Sequence, residues 1–221
     1  MFDETERARA ARFVFPRHRV QFIAAHALVR AVLGRLCDVP PAAWRFVTDA
    51  HGKPSAWLDD GPAPVSFNLS HTEGMAGLAI RLGAGWAIGF DLEPLARTVD
   101  LAVADRFFSA REVAWLDALA VSARDEGFLR LWTLKEAFIK ATGKGLTQNL
   151  AAFSFDPFPP RIRFPPSCWS VKPIGGLSSG SSTAALLPQS ACARPRPSPW
   201  RPAGQQSTQP TSALRTFKRN T

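Results

Sequence analysis

After Asp156 the sequence contains no aspartate or glutamate, although it runs on to Thr221. All 18 acidic residues lie in residues 1–156 beside 18 of the 27 Lys and Arg, so the formal net charge of +9 belongs wholly to residues 157–221. A neutral body with a basic end limits where a fold can form. Distribution matters more than the sum: even spread would point to nucleic acid or an anionic surface. Residues 166–221 are rich in Ser, Pro, Thr, Ala, Gln and Arg without clear periodicity, the composition of an irregular tail. Lacking interleaved aromatics or a recognised motif, that tail supports only salt-sensitive, sequence-blind contact, not specific nucleic-acid binding. The body must supply the core, and 46% hydrophobic content over 221 residues is enough to do so without disulfide or metal staples.

The body alternates helical and strand patterns. RVQFIAAHALVRAVLGRL (19–36) reads as a helix with Phe22, Ile23, Ala27, Leu28, Ala31 and Val32 on one face, stopped by Pro40 and Pro41. WRFVTDAHGKPSAWL reads as strand, turn, strand. VSFNLSH (65–71), MAGLAIRL (75–82) and GWAIGFDLE (85–93) read as three further strands. Beyond Pro94, Ser109 and Glu112 form a capping box that opens a helix over about 110–120. GFLRLWTLKEAFIKATGKGL places Phe128, Leu131, Trp132, Leu134, Phe138 and Ile139 on a second long helix ended by Gly143 and Gly145, and AAFSF and RIRFP read as short strands. The fold class expected is α/β (α+β): an N-terminal lobe over 1–94, a C-terminal lobe over 95–165, and the irregular tail over 166–221.

Cys37, Cys168 and Cys192 are odd in number and lack metal-type spacing, which indicates neither a disulfide framework nor a zinc site and fits a reducing compartment. The N-terminus lacks the apolar core of a secretion signal, and no apolar run is read as approaching the ~18 residues of a membrane span. The expectation is a cytoplasmic protein with no membrane partner.

Three groups of residues carry chemistry. Asp91 and Glu93 sit at i and i+2 on a strand, so both face one side while Leu92 faces the other. Two adjacent carboxylates repel, and an oxygen-only donor set favours Mg²⁺ or Mn²⁺, although the spacing alone describes a solvated pair at a turn as well. Glu136 and Lys140 lie at i, i+4, with Trp132 one turn earlier. Most such pairs are solvent-facing helix supports, but the aromatic makes this stripe partly buried, as in a cleft. Ser70 and His71 are neighbours on a strand and must point apart, and no G-x-S-x-G elbow exists, so a hydrolase triad is rejected. Lys53 in HGKP and Arg17 in FVFPRHR suit a phosphate or open solvent alike. His18, His26 and His51 read as ordinary, and KGKGL has no P-loop spacing.

Taken in order, FVFPRHR, HALVR, HGKP, FNLSH, GFDLE, FFSAREV and LWTLKEAFIKATGKGL resemble the 4′-phosphopantetheinyl transferases over roughly residues 7–165. The likeness is to the larger, pseudo-dimeric type with a W-x-x-K-E-A motif. The resemblance implies two similar lobes, each a small sheet with a long helix, related by a pseudo-two-fold with coenzyme A between them. It implies that Asp91, Glu93 and Glu136 hold Mg²⁺, with Mn²⁺ as the alternative. Glu136 or a water it orients is the implied base, Lys140 the lysine near the phosphates, and His71 is counted with the catalytic residues. Arg17, Lys53, Ser70, His71 and Lys140 match coenzyme A-binding positions. The implied reaction moves phosphopantetheine from coenzyme A to a serine of an apo acyl or peptidyl carrier protein, releases adenosine 3′,5′-bisphosphate, and is carried out by a monomer.

One departure stands out. The family's second lobe ends in strands that return to the sheet, and none is read in residues 166–221, as if the C-terminus had been replaced by a frameshift. The alternative expectation is therefore a degraded, non-catalytic member that binds coenzyme A or a carrier protein without turnover.

Overall fold

The computed structural model describes residues 2–164 and 182–188. These fall into two units, 2–85 and 86–164 with 182–188, and both mix helix with sheet. The division lies at Gly85/Trp86, upstream of the break expected at Pro94, because the GFDLE strand belongs with the second unit's helix.

In the first unit, α1 (Glu4–Ala11) precedes α2 (Pro16–Cys37). Pro16 opens α2 where its missing N–H leaves no intrahelical bond unmade, and Asp38 closes it in the left-handed conformation with φ 54°. A three-stranded antiparallel sheet follows, β1 (Arg45–Thr48), β2 (Pro54–Leu58) and β3 (Gly61–Pro62), then the hairpin of β4 (Val65–Thr72) and β5 (Met75–Leu82). Val29 and Leu33 of α2 join Trp44, Ala56, Val65 and Phe67 in the core.

The buried face of α2 is not the one expected. It carries Phe22, Ala25, Val29 and Leu33 together with Arg30 and Gly34, and leaves Ala31 exposed. Apolar residues surround nearly the whole helix, so periodicity alone does not select a face. By length and composition α2 even suffices to cross a membrane, with mean hydropathy 1.4 over 18 residues, contrary to the expectation that no run approached that length. One side of it packs in the core of the first unit, with 39% of that stretch buried, and Arg30 lies on that side. The fully buried guanidinium donates from Nε to Glu6 at 2.9 Å, from Nη1 to the carbonyls of Pro41 and Trp44 at 2.8 and 2.7 Å, and from Nη2 to Asp3 and Glu6. Every donor is used, as burial of a charge demands.

Asp3 and Glu6 also form the capping box of α1, a helix absent from the expectations above. Burial pushes the Glu6 carboxyl up, but hydrogen bonds from His26 and Arg30 outweigh it and hold it at about 2, against an ordinary 4.5. The folded value is the depressed one, so the stabilisation is complete above 4.5 and is lost as pH falls towards 2. Glu6→Gln is expected to cost about 2–3 kcal/mol at pH 7. Urea unfolding of both proteins should show the difference shrinking across that acid window; a pH-independent difference would assign it to packing instead.

The second unit comprises β6 (Trp86–Leu92), α3 (Ala102–Phe107), α4 (Ala110–Asp117), α5 (Arg124–Thr142), the hairpin of β7 (Ser154–Pro157) and β8 (Pro160–Arg163), and β9 (Ser182–Pro188). The predicted capping box of Ser109 and Glu112 is present, and Gly143 closes α5 in the left-handed conformation at φ 73°. β9 pairs antiparallel with β6, Trp86 facing Pro188 and Leu92 facing Ser182. This strand corrects the expectation that 166–221 is irregular throughout. It is specified by pairing with a strand far upstream rather than by a local alternation, which is why composition hid it. The remainder of that tail lies outside the described residues.

β6 crosses α5 at very close range. A Cβ at Gly89 would overlap the carbonyl oxygen of Ala137 and the amide of Ala141, backbone that cannot turn aside as a side chain can. Gly89→Ala is accordingly expected to destabilise the protein by about 1–3 kcal/mol, the usual range for overpacking, as a lowered urea midpoint.

Candidate active site

α5 is buried on most of its circumference, with Leu131, Ala137, Phe138 and Ile139 in the core and Phe138 meeting Phe153 at 4.6 Å between ring centres. Trp132, Glu136 and Lys140 are its half-buried stripe, as their four-residue spacing predicts. Trp132 stacks on Phe128 at 5.9 Å and meets Phe107 edge-on at 5.8 Å, which gives that stripe an aromatic floor.

Asp91 and Glu93 stand at the end of β6 with Leu92 buried between them. The structure brings this strand end to the stripe on α5: Lys140 Nζ lies 2.6 Å from Asp91 Oδ1. Chain direction reverses after Glu93 at Pro94, and Arg97 folds back to donate from Nη1 to Glu93 Oε1 at 2.8 Å. Arg97 was not among the expected site residues, and its signal was the i, i+4 spacing across a proline turn. Glu136 is the third acid. Burial raises its carboxyl above the ordinary value, the charges of Asp91 and Glu93 raise it further, and Lys140 opposes them. Glu136 therefore feels both other acids, as a carboxyl does when it shares a site with them.

The donor set contains only oxygen, and the crowding of three carboxylates is relieved by positive charge, here that of Lys140 and Arg97. These residues fit a hard divalent cation in kind and number. Among the described residues no three acidic, His or Cys side chains stand close enough together to hold a metal ion, and Asp91 and Glu93 are each met by a base.

The adjacent lysine serves a different purpose. Lys135 is fully buried, 2.8 Å from Glu112, and donates to the carbonyls of Leu150 and Phe153 at 2.7 and 2.9 Å. Burial lowers its ammonium's pKa, opposed by Glu112. Glu112 also accepts from the Ser109 and Phe155 amides. One carboxylate thus ties the start of α4 and the start of β7 to the middle of α5. Sequence reading assigned Glu112 to the cap alone.

The other expected residues lie in the first unit. Lys53 is half-buried on the β1–β2 turn, where Asp49 accepts from its amide at 2.9 Å; burial pushes its ammonium down to about 8, with Asp49 opposing. Ser70 is buried and His71 exposed, so the neighbours do point apart. Arg17 is exposed beside the Phe15 ring at 5.3 Å. A cleft of about 440 Å³ lined by Arg111, Trp115, Asp156, Phe158, Arg161 and Arg163 contains none of the expected residues.

Comparison with known proteins follows the same residues. The model of the 4′-phosphopantetheinyl transferase superfamily matches residues 87–172. The chain is 40% identical over 144 residues to the 4′-phosphopantetheinyl transferase HetI of Nostoc sp. (65% of this chain, 60% of that protein). It is 34% identical over 167 residues to slr0495 of Synechocystis sp., provisionally named for the same activity (71% and 67%), and 33% identical over 149 residues to Sfp of Bacillus subtilis (67% and 63%). The chain thus spans about three-fifths to two-thirds of the length of these relatives.

Proposed function

Since this chain belongs to the 4′-phosphopantetheinyl transferase superfamily, we propose that it moves the phosphopantetheine arm of coenzyme A to a serine of an apo acyl or peptidyl carrier protein, with release of adenosine 3′,5′-bisphosphate. The observation that carries the proposal is the convergence of Asp91, Glu93, Glu136 and Lys140 from two elements of one unit, with Glu136 raised by burial first and then by its acidic neighbours.

Asp91, Glu93 and Glu136 are the residues to hold Mg²⁺, which when bound supplies charge neutralisation to the pyrophosphate. Glu136 is the proposed base for the serine proton, acting directly or through a water; its raised carboxyl supports this, since a base works best when its pKa approaches the working pH. Lys140 stands beside the acids, where its charge favours the leaving phosphate oxygen. Trp132 limits water at the stripe. In the first unit, Arg17, Lys53, Ser70 and His71 are the proposed contacts to coenzyme A, and a lysine near 8 retains enough charge at pH 7 to meet a phosphate. The two-lobe plan of the family is proposed likewise: α2 on β4–β5 and α5 on β6–β9 are its equivalent halves.

Intact-mass analysis of an apo acyl carrier protein after incubation with this protein, coenzyme A and Mg²⁺ tests the reading. A phosphopantetheine-sized gain is the expected result. No gain from folded protein across several carriers would favour the non-catalytic member that binds coenzyme A or a carrier protein without turnover.

A further inference from the structure

We propose that Arg97 is an exchangeable counter-ion of Glu93, holding that carboxylate in the ion-free protein and giving it up when a divalent cation is bound. The inference rests on the reading of Asp91, Glu93 and Glu136 as cation ligands. Glu93 is largely buried, its side chain 15% exposed, while that of Arg97 is 54% exposed. A carboxylate so placed is expensive to leave alone, and the guanidinium that meets it reaches in from solvent. The turn after β6 makes the approach: Pro94 ends the strand, its carbonyl accepts from the Arg97 amide at 3.1 Å, and the side chain returns to Glu93.

The two bases of the site differ in a way that assigns the roles. Lys140 sits on α5, its side chain 30% exposed, and is committed to Asp91 from a rigid element. Arg97 sits on a turn outside any helix or strand and can swing back to water at little cost. Arg97 and a metal ion compete for the Glu93 carboxylate, so the arginine keeps the site charge-balanced and weakens cation affinity.

Mn²⁺ titration of the full chain without coenzyme A, read as loss of the free-ion signal in electron paramagnetic resonance, tests this. Arg97→Gln is expected to bind Mn²⁺ about three- to tenfold more tightly than the unaltered protein, the gain from removing a partly exposed competitor and its charge. In a Glu93→Gln background the same substitution should bring no gain, because the shared ligand is gone. Arg106→Gln, on the exposed side of α3, serves as the charge control and should leave affinity unchanged. Equal affinity of Arg97→Gln and the unaltered protein overturns the counter-ion role while leaving the metal site standing, as does an equal gain in the Glu93→Gln background. No Mn²⁺ binding by any of the proteins overturns both.

Discussion

Glu136→Gln is expected to slow phosphopantetheine transfer by about 10²–10³-fold, the usual loss when a charged group acting on the reacting centre is removed. Glutamine keeps the size and one oxygen but neither the charge nor the basicity. The half-buried stripe tolerates it, so the urea midpoint should stay close to that of the unaltered protein. The pH profile adds a readout that a packing defect would not move. In the protein without its cation, burial first, then Asp91 and Glu93, raise the Glu136 carboxyl, so a proton competes with the cation for Glu136 at a higher pH than it would at an ordinary glutamate. Activity should therefore fall on the acid side while other carboxylates are still ionised. The residual activity of Glu136→Gln should lack that limb. Intact-mass rates between pH 5 and 8 provide the check, and an unchanged acid limb in the variant would assign it to another group.

Lys135→Met is expected to destabilise the fold by about 3–5 kcal/mol, because it strands Glu112 without a counter-charge in a dry interior. Methionine fills the same channel past Phe153, whose ring lies 4.4 Å from the ammonium, so the loss comes from charge rather than from a cavity. The double variant Lys135→Met with Glu112→Leu should recover part of the loss, since replacing a buried pair by apolar groups is often neutral. Urea unfolding of the two single variants and the double one measures the coupling. Additive losses would show that each residue acts only through its own carbonyl or amide partners.

Both predictions concern residues side by side in WTLKEAFIK, and their fates were unequally legible. Glu136 and Lys140 could be read because helical spacing alone sets them on one stripe with Trp132. Lys135 could not, because its partners Glu112, Leu150 and Phe153 are distant in sequence and only packing unites them. The same holds for the fold. β5 was found at its bounds, 75–82, because its pattern is local and flanked by turns. The turn of β1–β2 and the end of α5 at Gly143 were likewise written in short-range chemistry. β9 was missed because no property of Ser182–Pro188 calls for a strand until β6 is there to pair with it. Apolar spacing points to the wrong face of α2 because the deciding residue is a charged one, Arg30, whose burial makes sense only with Asp3 and Glu6 in place. α1 carried a legible signal, the Asp3/Glu6 capping box, that charge mixing obscured.

The pairing of β6 with β9 orders events in time. Asp91 and Glu93 leave the ribosome early, but the strand that carries them meets its neighbour only when residues 182–188 have emerged. At ordinary elongation rates of about 5–20 residues per second, several seconds separate the two. During that interval β6 waits first for α5, complete only at Thr142, and then still keeps an open row of amides and carbonyls along one edge, a surface that other nascent chains can join. Among the described residues, the last strand to be made is thus the one that finishes the seat of the acidic pair.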